Sequence, residues 1–127
     1  MKENEITSAV VACAIDVHRE LGPGLLESVY QEAMVCELRN RELSFVSEVV
    51  VPVVYKGMRI DRGFRADIIV EDKVILELKS VEEVSKVHKK QLLTYLRLSR
   101  LRVGLLLNFG AVLMRDGITR IVNGYEE

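Results

Sequence analysis

The chain has 127 residues, 49% of them hydrophobic and 29% charged, with a formal net charge of −1. That length supports one core, so a single domain over residues 1–127 is expected, and the composition excludes disorder. No apolar run approaches the roughly 18 residues of a membrane span, and the polar start lacks a signal-peptide core, so a cytosolic address is the default.

Charge is unevenly spread. Residues 1–48 carry four Lys/Arg against nine Asp/Glu, and residues 49–127 carry fourteen against ten. The densest basic stretch runs from Lys86 to Arg102 with no acid in it. A phosphate-binding face and an ordinary solvated helix face are both open readings of that stretch. Cys13 and Cys36 stand among apolar neighbours at helical spacing, which predicts two reduced, buried thiols. With only His18 and His88 beside them, a structural zinc site has too few ligands.

In chain order, apolar residues at Ile6, Val10, Cys13, Val17 and Leu21 predict a helix over 5–21. Gly22, Pro23 and Gly24 break it, and Leu26, Tyr30, Met34 and Leu38 carry a second helix. β-Branched runs follow: Phe45–Tyr55, with Pro52 at an edge or bulge, then, after a turn at Lys56 and Gly57, 59–70, and finally Val74–Lys79. These three segments predict an antiparallel meander. Ser80–Glu83 resembles a capping box and opens a third helix over 82–99. Val103–Phe109 reads as a buried strand, and 111–114 with 118–122 as a closing hairpin. The order ααβββαβββ gives an α+β fold, with a mixed sheet whose fourth strand follows a crossover helix and runs parallel to the third.

The chemistry concentrates in the central hairpin. A three-residue loop centred on Asp72 sets Asp67 opposite Glu77 on one face, with Lys79 two residues further along that face. The opposite face, with Ala66, Ile68, Val70, Val74, Leu76 and Leu78, is apolar. Two carboxylates about 4 Å apart repel by about 4 kcal/mol at an effective dielectric near 20. Water screens that cost if the face is open; if the face is covered, a divalent cation is the simplest compensation. On the third helix His88, Gln91 and Tyr95 share a stripe that could form such a cover or could be a solvated boundary. No Gly-rich phosphate loop or dinucleotide fingerprint is present.

Asp67, the run Glu77, Leu78, Lys79, and the spacing Gln91 to Tyr95 resemble the PD-(D/E)XK nuclease superfamily, in particular its RecB-like branch with a QxxxY helix. Gly24, Glu27 and Tyr30 match the signature of the GxxExxY family. Ala66 stands where the superfamily name has proline.

The resemblance implies a restriction-endonuclease-like core and a nuclease, a phosphodiester hydrolase using Mg²⁺ (or Mn²⁺). It makes Asp67, Glu77 and the main-chain carbonyl of Leu78 metal ligands. Lys79 would position the attacking water, Gln91 and Tyr95 would orient phosphate, and Glu27 would be a further acid at the rim, binding metal through water or holding Lys79. Tyr30 reads as packing and Gly24 as backbone geometry. Lys86, His88, Lys89 and Lys90 are the candidate nucleic-acid contacts. The partner would be nucleic acid, DNA by preference, and no membrane; a homodimer or partner protein would enlarge a short footprint. The near-neutral charge keeps a second reading open, a non-enzymatic nuclease-fold module that binds nucleic acid or a protein.

Overall fold

A computed structural model describes residues 1–124 of the chain. Helices α1 (Glu3–Leu21) and α2 (Glu27–Asn40) precede strands β1 (Phe45–Val50), β2 (Val53–Tyr55), β3 (Met58–Ile60), β4 (Arg65–Val70) and β5 (Val74–Lys79). Helix α3 (Lys86–Ser99), β6 (Val103–Asn108), a 3-10 turn (Met114–Gly117) and β7 (Ile118–Val122) complete it. The main sheet has the order β1-β4-β5-β6-β7, and β2 and β3 form a separate two-stranded ribbon. It is a mixed α+β fold.

The expected register holds. Val70 pairs with Val74, Ile69 with Ile75 and Ile68 with Leu76, and β6 runs parallel to β5 after the α3 crossover. β5 is therefore the central strand, buried on both faces, which accounts for its near-continuous apolar sequence.

Three layers result. One cluster joins α1 (Ile6, Val10, Val17) and α2 (Tyr30, Met34, Leu38) to Ile68, Val70, Leu76, Leu78 and Leu105 on one sheet face. The other joins Leu92 and Leu96 of α3 to Ile75 and Leu106 on the opposite face, with Val51 and Phe64 from the ribbon's root. Gly104 lets α3 approach closely, since a Cβ there would lie 2.9 Å from Leu92.

Several expectations are corrected. The Phe45–Tyr55 and 59–70 runs each split, because the chain leaves the main sheet at Val51, whose N–H bonds to Phe64 O (3.0 Å), and only the ribbon continues beyond. Helix α3 begins at Lys86, not at 82. Its N-cap is Ser85, whose Oγ accepts the His88 N–H, while His88 Nδ1 accepts the Ser85 N–H. The Ser80–Glu83 segment instead spans a bend fastened to β6 by Asn108, whose Oδ1 accepts the N–H groups of Val81 and Gly110. Residues 111–114 form no strand; β7 pairs directly with β6. Cys13 is buried and free, its thiol pushed up by burial, but Cys36 is exposed. Ala66 packs with Val51 and Phe64 in the α3-side cluster, away from Ile68. Strict alternation fails where the β1–β4 ladder skips Glu48 and Asp67, with Glu48 at φ 55.

Candidate active site

The central hairpin delivers both carboxylates to the α3 side of the sheet, and the backbone opens to receive them. The β4–β5 ladder ends at Ile68 and Leu76. In the next position Asp67 N–H donates to Glu77 Oε1 (3.2 Å), and Leu78 N–H donates to Asp67 Oδ2 (2.8 Å). Side-chain oxygens thus take the places of carbonyl acceptors. A residue's N–H and C=O leave a strand by the same edge. The Leu78 carbonyl therefore points toward β4, beside the two carboxylates.

The face is covered. Glu77 is only 7% exposed. Burial, then the nearby Asp67 charge, pushes its carboxyl up to about 8, against an ordinary 4.5. Burial likewise raises Asp67, opposed by the Leu78 N–H and by the charge of Lys79. Tyr95 is half-buried and stacks on Phe64, and burial together with the charges of Glu77 and Asp67 raises its phenol. A neutral phenol near two acids keeps a hydroxyl that can donate a hydrogen bond.

The remaining expected residues fall into two groups. Lys79 follows Glu77 on the same strand face and lowers both carboxyls by its charge, yet makes no ion pair among the described residues. Its carbonyl is fixed by Phe109 N–H at 2.8 Å. Gln91 lies exposed one turn before Tyr95. Lys86, Lys89 and Lys90 are exposed on α3, whereas the His88 ring is engaged at the helix cap. Glu27 does not reach Lys79; its Oε2 accepts Ser80 N–H at 3.3 Å, immediately after Lys79 in the chain.

Gly24, Glu27 and Tyr30 form one mechanical unit. Gly24 has φ 100, a conformation that side chains resist. Tyr30 is fully buried, stacked on Phe109 at 4.5 Å. Its hydroxyl donates to Gly22 O (2.5 Å) and accepts Leu25 N–H (3.1 Å). Ser80 Oγ donates to Leu25 O (2.6 Å), so the α1–α2 turn is tied to the end of β5 just past Lys79.

Two residues at the site escaped the sequence reading. Gln31 donates from Nε2 to Glu48 Oε1 (3.1 Å) and to the Asp67 carbonyl (3.4 Å). Its place one helical turn after Glu27 was the available signal. Glu48, 3.7 Å from Arg65, raises Asp67 further by its charge, and nothing in its strand-like surroundings marks it out.

Hard oxygen donors from two carboxylates and a carbonyl suit Mg²⁺, which keeps several waters or phosphate oxygens in its shell. Such a cation would replace the proton that burial and the Asp67 charge hold on Glu77, and would offset the repulsion between the two ionised acids. Among the described residues no group of three or more His, Cys, Asp or Glu side chains could hold a metal ion, so any cation here would rest on this smaller set.

A covered acidic pair followed by lysine, on a mixed sheet between helices, defines a nuclease-fold class. Comparison with known families agrees, because residues 4–121 match the model of the PD-(D/E)XK nuclease superfamily, and the chain belongs to that superfamily. No curated protein and no solved structure gives a significant match. No helix of the described residues is long and apolar enough to cross a membrane.

Proposed function

We propose that this chain is a Mg²⁺- or Mn²⁺-dependent phosphodiesterase, a single-domain cytoplasmic nuclease of the RecB-like, GxxExxY type that acts on nucleic acid, DNA by preference. The observation that carries the reading is Glu77, buried against Asp67 on the face that Tyr95 covers, with Lys79 beside it. Ionising both acids in such a place costs stability, which is why Glu77 holds its proton, and a divalent cation that takes the proton's place offsets that cost.

Asp67, Glu77 and the Leu78 carbonyl would hold the metal, which supplies an activated water and a counter-charge for the reacting phosphate. Lys79 would stabilise developing negative charge. Tyr95 and Gln91 would orient phosphate oxygens through hydrogen bonds. Lys86, Lys89 and Lys90 would meet the strand's phosphates, with His88 contributing only through its free ring nitrogen. Glu27 supports the site as a strut on Ser80. A homodimer or partner protein would extend the short footprint.

The test is a panel of single-stranded, duplex and branched DNA and RNA with Mn²⁺, using Lys79→Ala as the contamination control. Cleavage by the wild type alone supports the reading. Equal cleavage by both proteins, or none by either, sinks it. A second reading, a non-enzymatic nucleic-acid or protein-binding module, draws on the absence of a three-side-chain metal cluster among the described residues. It predicts that thermal melting is indifferent to Mg²⁺ and Mn²⁺, whereas a working metal site raises Tm by mass action.

A further inference from the structure

The ribbon of β2 and β3 stands apart from the main sheet yet is rooted beside the candidate site. Val51 N–H bonds to Phe64 O across its base, and Phe64 stacks on Tyr95. Arg65, the residue after Phe64, opens β4 two positions before Asp67. An isolated two-stranded hairpin is marginal in water, so this root is what holds the ribbon in place.

Its surface is unusual for an unengaged hairpin. Val54, Tyr55 and Met58 are 66%, 57% and 58% exposed. Lys56, Arg59, Arg62 and Arg65 are also exposed, with Asp61 as the one acid between Lys56 and Arg65. Asp61 pairs with Arg59 (2.7 Å) and Arg65 lies near Glu48, which leaves Lys56 and Arg62 without ion pairs among the described residues. The Lys56 ammonium rests 5.4 Å from the Tyr55 ring centre, at the Lys56–Gly57 tip.

We propose that the β2–β3 ribbon is a docking arm for single-stranded nucleic acid, with Tyr55 stacking on a base and Lys56 and Arg62 contacting phosphates. An exposed aromatic interleaved with cations is the pattern by which proteins hold unpaired strands, since every base offers a face to stack on. A second copy of the chain is the other candidate occupant. A self-complementary contact through this ribbon would bring its basic cluster against itself, which disfavours that assembly. The inference rests on the nucleic-acid reading above and assigns to it a part of the molecule that the α3 lysines do not include.

The test measures fluorescence anisotropy of a labelled oligothymidylate of about twelve nucleotides with the full chain in EDTA, so that binding is read without cleavage. Tyr55→Ala should weaken binding about tenfold, within the usual range for losing one stacked base, while Tyr55→Phe stays close to wild type. Lys56→Ala/Arg62→Ala should reduce the slope of log K against log salt by about 1.4, two single-strand phosphate contacts. Arg115→Ala, on the 3-10 turn, should change nothing.

Binding by Tyr55→Ala and the double variant as tight as wild type, or no binding by wild type, overturns the proposal. So does a sedimentation result in which Tyr55→Ala acts only by splitting a dimer. Strand binding through Tyr55 without cleavage in Mn²⁺ would remove the hydrolase reading and leave the arm standing. Cleavage with binding that ignores Tyr55 would do the reverse.

Discussion

Asp67 and Glu77 each complete the backbone hydrogen bonding beside the other. The Asp67 N–H ends on Glu77 Oε1, and the N–H next to Glu77, that of Leu78, ends on Asp67 Oδ2. The pair is locked in place by bonds that do not neutralise it. Glu77→Gln keeps an acceptor for the Asp67 N–H and removes one of two like charges from a buried site. At pH 8 and without metal the variant should therefore be more stable than wild type, by about 1–2 kcal/mol or roughly 3–8 °C in Tm. The same substitution should abolish stabilisation by Mn²⁺. Calorimetric melting with EDTA and with Mn²⁺ checks both, and a Glu77→Gln protein less stable than wild type in EDTA would refute the account.

The same carboxyls set a pH dependence. Glu77 holds its proton to about pH 8 in the folded chain and to about 4.5 when unfolded, and Asp67 is shifted in the same direction. Between those values the folded state binds more protons than the unfolded one, so stability falls as pH rises. In EDTA, Tm should decline from about pH 5 to pH 8 and then level off. Saturating Mn²⁺, which competes with those protons, should flatten the decline, and apparent metal affinity should climb over the same window. A Tm that is flat over that window without metal would contradict the shift.

Tyr30 offers a way to separate mechanical support from chemistry. Its ring is stacked on Phe109, and its hydroxyl bridges Gly22 O and Leu25 N–H. Tyr30→Phe keeps the ring and leaves two polar groups of the α1–α2 turn without that partner, at a cost of about 1–2 kcal/mol in stability. Metal affinity should be nearly unchanged, because the hydroxyl lies on the α1–α2 side of the sheet and touches neither acid. Urea denaturation beside Mn²⁺ titration distinguishes this from a direct role, which would weaken metal binding at unchanged stability.

The pattern of legibility follows from what fixes each feature. The Asp67–Glu77 opposition was readable because a three-residue loop at Glu71–Lys73 and a period of two determine register locally. The parallel β5–β6 pairing was readable because a helix must cross over between them. The ribbon's turn at Lys56 and Gly57 was readable too, but its separation from the main sheet was not, since the chain's departure at Val51 is set by tertiary packing of Val51 and Phe64 near α3. The start of α3 was missed for a related reason: Ser80–Glu83 has the composition of a cap, but Asn108 holds Val81 in a bend and leaves capping to Ser85. Gln31 shares a helix face with Glu27, but its contact with Asp67 depends on how α2 packs on the sheet, and the charge of Glu48 reaches Asp67 only through the β1–β4 pairing, which no local spacing encodes.

That bend gives the most severe expected lesion outside the acids. A Cβ on Gly110 would lie 2.1 Å from the carbonyl oxygen of Val81, backbone against backbone, so no side chain can yield to relieve it. Gly110→Ala must push the segment after Lys79 away from β6, and stability should drop by about 3 kcal/mol or more. Asn108→Ala removes the acceptor for Val81 and Gly110 N–H without adding bulk, so about 1–3 kcal/mol should be lost. Phe109 N–H holds the Lys79 carbonyl one residue away from Gly110, so the alanine should also displace Lys79 and reduce any nuclease rate beyond what the loss of folded protein explains. Urea midpoints of both variants, with rates normalised to the folded fraction, test the ranking; a Gly110→Ala protein as stable as wild type would show that the Val81 bend is not held where this account requires it.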